Sequence, residues 1–337
     1  MSEKCNNFEP QIRTDLVSGA ANRFPDKCDA DPKGAQKLNV EATHHLAQAT
    51  SSQSILLIYI STDYVFPGVP GEAPYEADAF PSPPNLYGQT KLDGERVVLD
   101  TTKSTGLGIV LRVPVLYGKA EEPKESAINV LMDVVWKAQE VKAENAKISM
   151  DHWAQRYPTN TEDVGRVCKD VAAKYLEAGD ARSEMPRTLQ FSSEDRYTKY
   201  EICELFAEIM GLPIEDKIEA DRPGNGPKAS VQRPYDTHLS SQTLKDLGIN
   251  VQTQSFKAWW YAHGYDRSVF HVPADGISGN GRYGLSENKQ CRGLRPIRLQ
   301  IRFVKACLDD SQGPFYTKIV LHLYYRDIGA VVQTNHT

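Results

Sequence analysis

A tyrosine and a lysine four positions apart, Tyr87 and Lys91, open the run YGQTKLDGE, downstream of an apolar stretch that closes on Ser61, Thr62 and Asp63. Those residue types in that order suit proton transfer to a carbonyl oxygen. On a helix, a spacing of four puts phenol and ammonium on one face, where the positive charge can lower the phenol pKa from its ordinary value of about 10. Ser61 and Thr62 bring hydroxyls to the carboxyl end of a strand, the place where open α/β sheets bind their ligands. With 16 Tyr and 21 Lys in 337 residues, about one Tyr-x-x-x-Lys match arises by chance. Context therefore carries the weight: the single match lies just after the one strongly apolar strand that ends in Ser-Thr-Asp.

Positioning such groups takes alternating strands and helices. Residues 12–18 read as a weak strand, 33–50 as a helix, 54–61 as a buried strand, 87–102 as a helix and 108–113 as a strand. That alternation implies a parallel sheet. Further on, 128–137 and 161–176 read as helices, the second with Val164, Val167, Cys168, Val171, Ala172 and Tyr175 on one face. A strand at 188–192 and a helix at 199–210, stopped by Gly211, continue the pattern. The stretch 221–227, DRPGNGP, is a loop by composition, and Arg233 before Pro234 is extended. Trp259, Trp260 and Tyr261 fall in a short helix; adjacent aromatics point in different directions, so one is expected to pack inward and another to stay free for a partner.

Composition fits a cytosolic globular protein of one large or two modest domains: 40% hydrophobic, 25% charged, formal net charge −5. No basic excess calls for nucleic acid, and no run reaches the roughly 18 apolar residues of a membrane span. The six cysteines, Cys5, Cys28, Cys168, Cys203, Cys291 and Cys307, have no metal-like spacing and suit a reducing compartment, so the expected location is the cytoplasm and no metal is expected.

The runs STDYVF and LYGQTKLDGE, with Tyr75, Glu76 and Asp78 in the loop between them, resemble the extended short-chain dehydrogenase/reductases, on the branch holding the dTDP-4-dehydrorhamnose reductases. The resemblance implies catalytic roles for Tyr87 as general acid, Lys91 as the group that tunes it and orients the nicotinamide ribose, and Thr62 as carbonyl contact, with Asp63 beside it and Ser61 as a less certain contact. It implies a structural Asn at Asn39 in the run LNVEAT, and a turn against an NADP(H) cofactor at Gly19, Ala20, Ala21 and Asn22. Arg233 lies where that branch covers its sugar substrate; it could meet a phosphate or form a surface salt bridge. Over residues 12–271 the chain is more similar to the regulatory beta subunits of methionine adenosyltransferase, a non-reductase family of the same fold. That likeness rests on MDHWAQRYP at 150–158, YTKYE at 197–201, QRP at 232–234 followed by SQTLKDLGI, and SVFH at 268–271.

A dinucleotide fold needs a strand, a Gly-rich turn and a helix N-terminus, because bare backbone N–H groups must approach the pyrophosphate. No such element precedes residue 55, so the resemblance enters the fold near its fourth strand and NADP(H) binding is doubtful. The GNGRYG run at 279–284 has no strand before it and no helical pattern after it, and is not expected to bind phosphate. The expected organisation is therefore a partial Rossmann-type parallel sheet flanked by helices over 1–148, a smaller α/β substrate-type domain over 149–271, and an irregular basic tail over 272–337. The tail holds nine Lys and Arg against five Asp and Glu, net +4, which leaves −9 for the rest. That change of sign favours a misjudged gene boundary or splice variant over a genuine basic appendage, an expectation that the intact mass of the native protein would test.

Three functions remain. The favoured one is a regulatory subunit that binds catalytic methionine adenosyltransferase and adjusts S-adenosylmethionine synthesis. The second is an NADPH-dependent reductase of a nucleotide-linked 4-keto sugar, with Tyr87 donating the proton. The third is an inactive truncated relative whose central strand exposes an edge.

Overall fold

The computed structural model describes residues 15–120, 122–140, 147–224, 231–263 and 320–321. The GNGRYG run and nearly all of the basic tail lie outside them, as does the SVFH run at 268–271. Strand β1, Asp15–Ser18, is followed by two short helices, α1 (Pro25–Ala30) and α2 (Pro32–Gln36), each with a proline in its first turn, where the missing N–H costs nothing. A π-helical turn, Lys37–Glu41, leads into α3, Ala42–Ser52. The single helix expected over 33–50 is thus widened in its middle, and the widened turn carries the fully buried Asn39. Single π turns inside helices often mark functional sites.

Strand β2, Leu56–Thr62, is almost wholly buried, as a near-continuous apolar run in a parallel sheet should be. Helix α4, Leu86–Thr101, starts where the Asn85 side chain accepts the Gly88 N–H at 3.0 Å. Next come β3 (Gly108–Val113), β4 (Leu116–Tyr117), α5 (Leu131–Glu140), β5 (Ile148–Asp151) and β6 (Thr159–Asn160). The Asn160 side chain then caps α6, Thr161–Glu177, whose expected apolar stripe is buried in full. After β7, Thr188–Gln190, helix α7 runs over Lys199–Met210 between a Thr198/Glu201 capping box and Gly211 in the left-handed region at φ 66°. Strand β8 (Ile218–Asp221), α8 (Gln242–Asp246), α9 (Phe256–His263) and β9 (Val320–Leu321) complete the described elements.

The main sheet has the order β7-β3-β2-β1-β9, parallel except for β9, which pairs antiparallel with β1. β2 is therefore an interior strand with hydrogen-bonded neighbours on both sides, contrary to the exposed edge of the third function above. One face packs Leu56, Ile58, Ile109 and Leu111 against Val167, Val171 and Tyr175 of α6; the other packs Leu57, Tyr59 and Val110 against Ala47 of α3 and Val98 of α4. A separate core joins α5, α7 and α9 beside the small β5-β8 sheet. Trp259 and Trp260 are both buried there, so the exposed one of the three is Tyr261, at 40% exposure, with its hydroxyl on Glu208.

Candidate functional site

At the carboxyl end of β1 the turn Gly19, Ala20, Ala21 and Asn22 lies half-buried to exposed, held by the Asn39 side chain and by the Cys28 thiol, which donates to the Asn22 carbonyl at 3.3 Å. Asn39 accepts the Asn22 N–H at 2.7 Å and donates to the Asn22 carbonyl at 3.2 Å and to the Thr90 hydroxyl at 2.9 Å. Three segments, the turn, the π turn and α4, are thereby locked in register through a single buried amide. α4 can approach so closely because Gly94 faces the Tyr59 hydroxyl and the Asn39 carbonyl, where a Cβ would collide, and Gly88 faces the Tyr64 carbonyl in the same way.

Tyr87 leaves the first turn of α4 toward the end of β2, where the Thr62 hydroxyl is near enough to act on its pKa. Thr62 also donates to Asp63 at 3.0 Å, and Asp63 accepts the Thr237 hydroxyl at 2.6 Å. Burial raises the Asp63 carboxyl above its ordinary range, opposed by Thr237, Arg156 and Thr62. Burial likewise holds the Tyr87 phenol well above its ordinary range, with the Thr62 hydroxyl working the other way. The ring of Tyr64 stands edge-on to Tyr87 at 5.7 Å. Thr62, Asp63 and Thr237 thus form one hydroxyl and carboxyl chain beside Tyr87 at the sheet's carboxyl end.

Lys91 departs from the expected pairing. It lies on the same helix, but its ammonium donates to the Tyr59 hydroxyl at 2.7 Å and the Ile60 carbonyl at 2.8 Å, and rests over the Tyr59 ring. Burial pushes Lys91 down to about 7, with Glu95 opposing. The expected lowering of the Tyr87 phenol by this ammonium is therefore not what the structure shows: desolvation outweighs it. Ser61 is also turned away. Neighbouring strand residues point to opposite faces, so Ser61 and Thr62 cannot serve one carbonyl together. The Ser61 hydroxyl instead donates to Glu95, which pairs with Arg112 at 2.8 Å, both side chains being buried. Arg112 continues to the Ala77 carbonyl and Gln190.

Tyr59, Glu95, Arg112 and Thr237 were not singled out from sequence. Two of them could have been: Glu95 follows Lys91 by one helical turn, and Tyr59 shares the strand face of Ser61. Thr237 meets Asp63 across 174 residues, which no local pattern announces. Among the described residues no group of His, Cys, Asp and Glu converges as a metal site. For a dinucleotide the described residues fit one half only. The Ala20–Ala21–Asn22 turn is tied through Asn39 to Thr90 of α4, but that turn has one glycine, Gly19, and α1 begins with a proline at its first position. No Gly-rich pyrophosphate cradle is present among the described residues.

The sequence profile of the RmlD substrate binding domain matches residues 2–259. The methionine adenosyltransferase 2 subunit beta of Rattus norvegicus is 38% identical over 249 residues, covering 74% of this chain and 68% of its own. The chain belongs to that family. Its Danio rerio relative of the same name is 35% identical over 273 residues, covering 79% of this chain and 78% of its own. The fold is shared with dTDP-4-dehydrorhamnose reductase from Bacillus anthracis, solved in complex with NADP, at a TM-score of 0.58 and 19% identity over 74% of this chain and 78% of that one. The chain thus shares a Rossmann-type fold with that reductase. Among the described residues no helix is long and apolar enough to cross a membrane.

Proposed function

We propose that this chain is a non-catalytic regulatory subunit of methionine adenosyltransferase that binds the catalytic subunit in the cytoplasm and modulates S-adenosylmethionine synthesis. The observation that carries the reading is the length of the likeness to beta subunits: 249 residues at 38% identity, running well past the sheet and α4. A reductase would need little of that second stretch for its chemistry. The state of Lys91, held by Tyr59 and the Ile60 carbonyl, supports a structural use of the Tyr/Lys pair. The test is the rate of S-adenosylmethionine formation by a catalytic subunit with and without this chain. A change in substrate affinity or product inhibition is expected, and it should persist in Tyr87→Phe. An effect that vanishes with Tyr87→Phe, or no effect from the wild-type chain, overturns the reading.

The Thr62–Asp63 pair beside Tyr87 favours a second reading, an NADPH-dependent reductase of a nucleotide-linked 4-keto sugar. In it Tyr87 gives its proton to the carbonyl oxygen while Thr62 orients that oxygen. Titration with NADPH discriminates: tight binding, and turnover abolished by Tyr87→Phe, belong to the reductase alone.

A further inference from the structure

Arg233, which could have met a phosphate or formed a surface salt bridge, does the second, pairing with Asp26 at 3.1 Å. At the opposite, amino end of the main sheet, two charges have no such pairing. There a cleft of about 460 Å³ opens between three turns, each leading into a neighbouring strand: Ser54 before β2, Ser104 and Thr105 before β3, and Asp180, Arg182 and Ser183 before β7. None of these residues belongs to the Tyr87 site.

The walls of the cleft are set by backbone rather than by its own charges. Ser54 closes the turn after α3 at φ 55°, the one non-glycine among the described residues in the left-handed region. That conformation is unfavourable for a residue with a Cβ, and such positions concentrate where a ligand is held. Gly106, at φ 63°, lets the 3-10 turn Gly179–Glu184 close on the end of α4, because a Cβ there would come within 3.0 Å of the Arg182 Cγ and 3.3 Å of the Ser183 backbone. Arg187 fixes the chain that leaves this turn, donating to the Gly108 carbonyl at 2.9 Å and the Leu99 carbonyl at 3.0 Å.

Two of the lining hydroxyls are occupied. Thr105 donates to the Thr102 carbonyl and accepts the Leu107 N–H, both at 3.3 Å, and Ser183 donates to the Asp180 carbonyl at 2.9 Å. The hydroxyls of Ser54 and Ser104, the Asp180 carboxylate and the Arg182 guanidinium make no hydrogen bond or ion pair with any described residue. Asp180 and Arg182 thus line one cleft, two residues apart, without pairing with each other. A polyanion there would meet the Asp180 carboxylate, and a polycation the Arg182 guanidinium. A molecule carrying both charges on adjacent atoms meets neither obstacle.

We infer that this cleft binds a small polar α-amino acid as its zwitterion. Arg182 offers a planar fork of donors to the carboxylate, Asp180 accepts from the ammonium, and the Ser54 and Ser104 hydroxyls receive a polar side chain. The site is remote from Tyr87 and does not rest on regulation of a partner, so either reading can fail without the other.

The test is calorimetric titration of the full chain with L-serine at fixed pH and ionic strength. Saturable binding at one site per chain is expected, weakened roughly tenfold or more in Arg182→Met and in Asp180→Asn, each of which removes one charge-assisted contact. Arg182→Met should keep the unliganded melting temperature of the wild type, since the guanidinium holds no described residue. N-acetyl-L-serine, without the ammonium, and L-serinamide, without the carboxylate, should each bind at least tenfold more weakly than L-serine. Absence of saturable binding, unchanged affinity in Arg182→Met, or either analogue binding as tightly as L-serine would overturn the assignment.

Discussion

Two clusters of charge flank the end of β2, and they are built on opposite terms. On the α4 side, Lys91, Glu95 and Arg112 are buried, and each meets specific donors or acceptors: Tyr59 and the Ile60 carbonyl for Lys91, Ser61 and Arg112 for Glu95, Gln190 and the Ala77 carbonyl for Arg112. On the α7 side, Arg156 keeps a buried Nη2 without a hydrogen bond, and Lys199 meets no carboxylate within pairing distance. The first cluster is closed; the second is open. A group equipped for proton chemistry by residue type can therefore serve packing, while Arg156 and Lys199, from the runs MDHWAQRYP and YTKYE, are left less fully partnered.

The closed cluster should break with the largest effect. Glu95→Ala strips Arg112 of its carboxylate and Ser61 of its acceptor, leaving a buried charge uncompensated, a loss of about 3–5 kcal/mol. Urea denaturation measures it. A loss under about 1 kcal/mol, the range of exposed pairs, would mean that water or backbone replaces Glu95 and that the cluster is not closed.

Lys91 sharpens the same point through pH. Its folded pKa is about 7 against an ordinary 10.5, so between those values the unfolded chain binds a proton that the folded chain does not. Stability contributed through this group therefore rises with pH across that window, at most by roughly 1.4 kcal/mol per pH unit, and the full cost of burying the charge is felt below pH 7. Lys91→Met also leaves the Tyr59 hydroxyl and the Ile60 carbonyl without their donor, an offset independent of pH in this window. The expected signature is a flatter stability profile in the variant between pH 6.5 and 9. Parallel profiles would place the Lys91 pKa near its ordinary value and refute the closed arrangement.

These contrasts show which parts of the molecule were legible in its sequence. The strand at 108–113 and the helix at 199–210 were read at their observed limits, because a glycine or a capping box with a terminal glycine marks each boundary. Tyr87 and Lys91 were correctly placed on one helix, since spacing alone decides that. Where the ammonium points was not legible: the phenol of Tyr59, on a strand read only as apolar, captures it from 32 residues away. The π turn was missed because hydrophobic periodicity over 33–50 is satisfied equally by a straight helix, and only the long-range bonds of Asn39 make the wider turn worthwhile. Arg156 and Lys199 lay in plain view, yet what distinguishes them from solvated surface charges is burial with few partners, a property of the fold.

Asn39 sits at the hinge of the comparison, because it holds the turn after β1 against the helix of the closed cluster. Asn39→Ala removes the acceptor of the Asn22 N–H and both amide donors, at a cost of about 1–3 kcal/mol, and should loosen residues 19–22 more than α7. Hydrogen exchange resolves the two: faster exchange at the Asn22 amide with unchanged protection in α7 is expected. Uniform acceleration would mean that the two clusters share one cooperative unit, and that the contrast between them is one of charge alone.

The smallest effect belongs to the open side. Removing the charge of Lys199 from the field of Arg156 and Arg233 should stabilise the unliganded protein slightly at neutral pH, by up to about 1 kcal/mol, because the variant discards a half-desolvated ammonium and loses no hydrogen bond or ion pair with the described residues. The side chain's apolar stem is largely kept by methionine, so packing changes little. The sign is the informative quantity: in a closed cluster, deleting a cation destabilises, as Glu95→Ala does from the other partner. A destabilised Lys199→Met would show that Lys199 already has the company its position lacks.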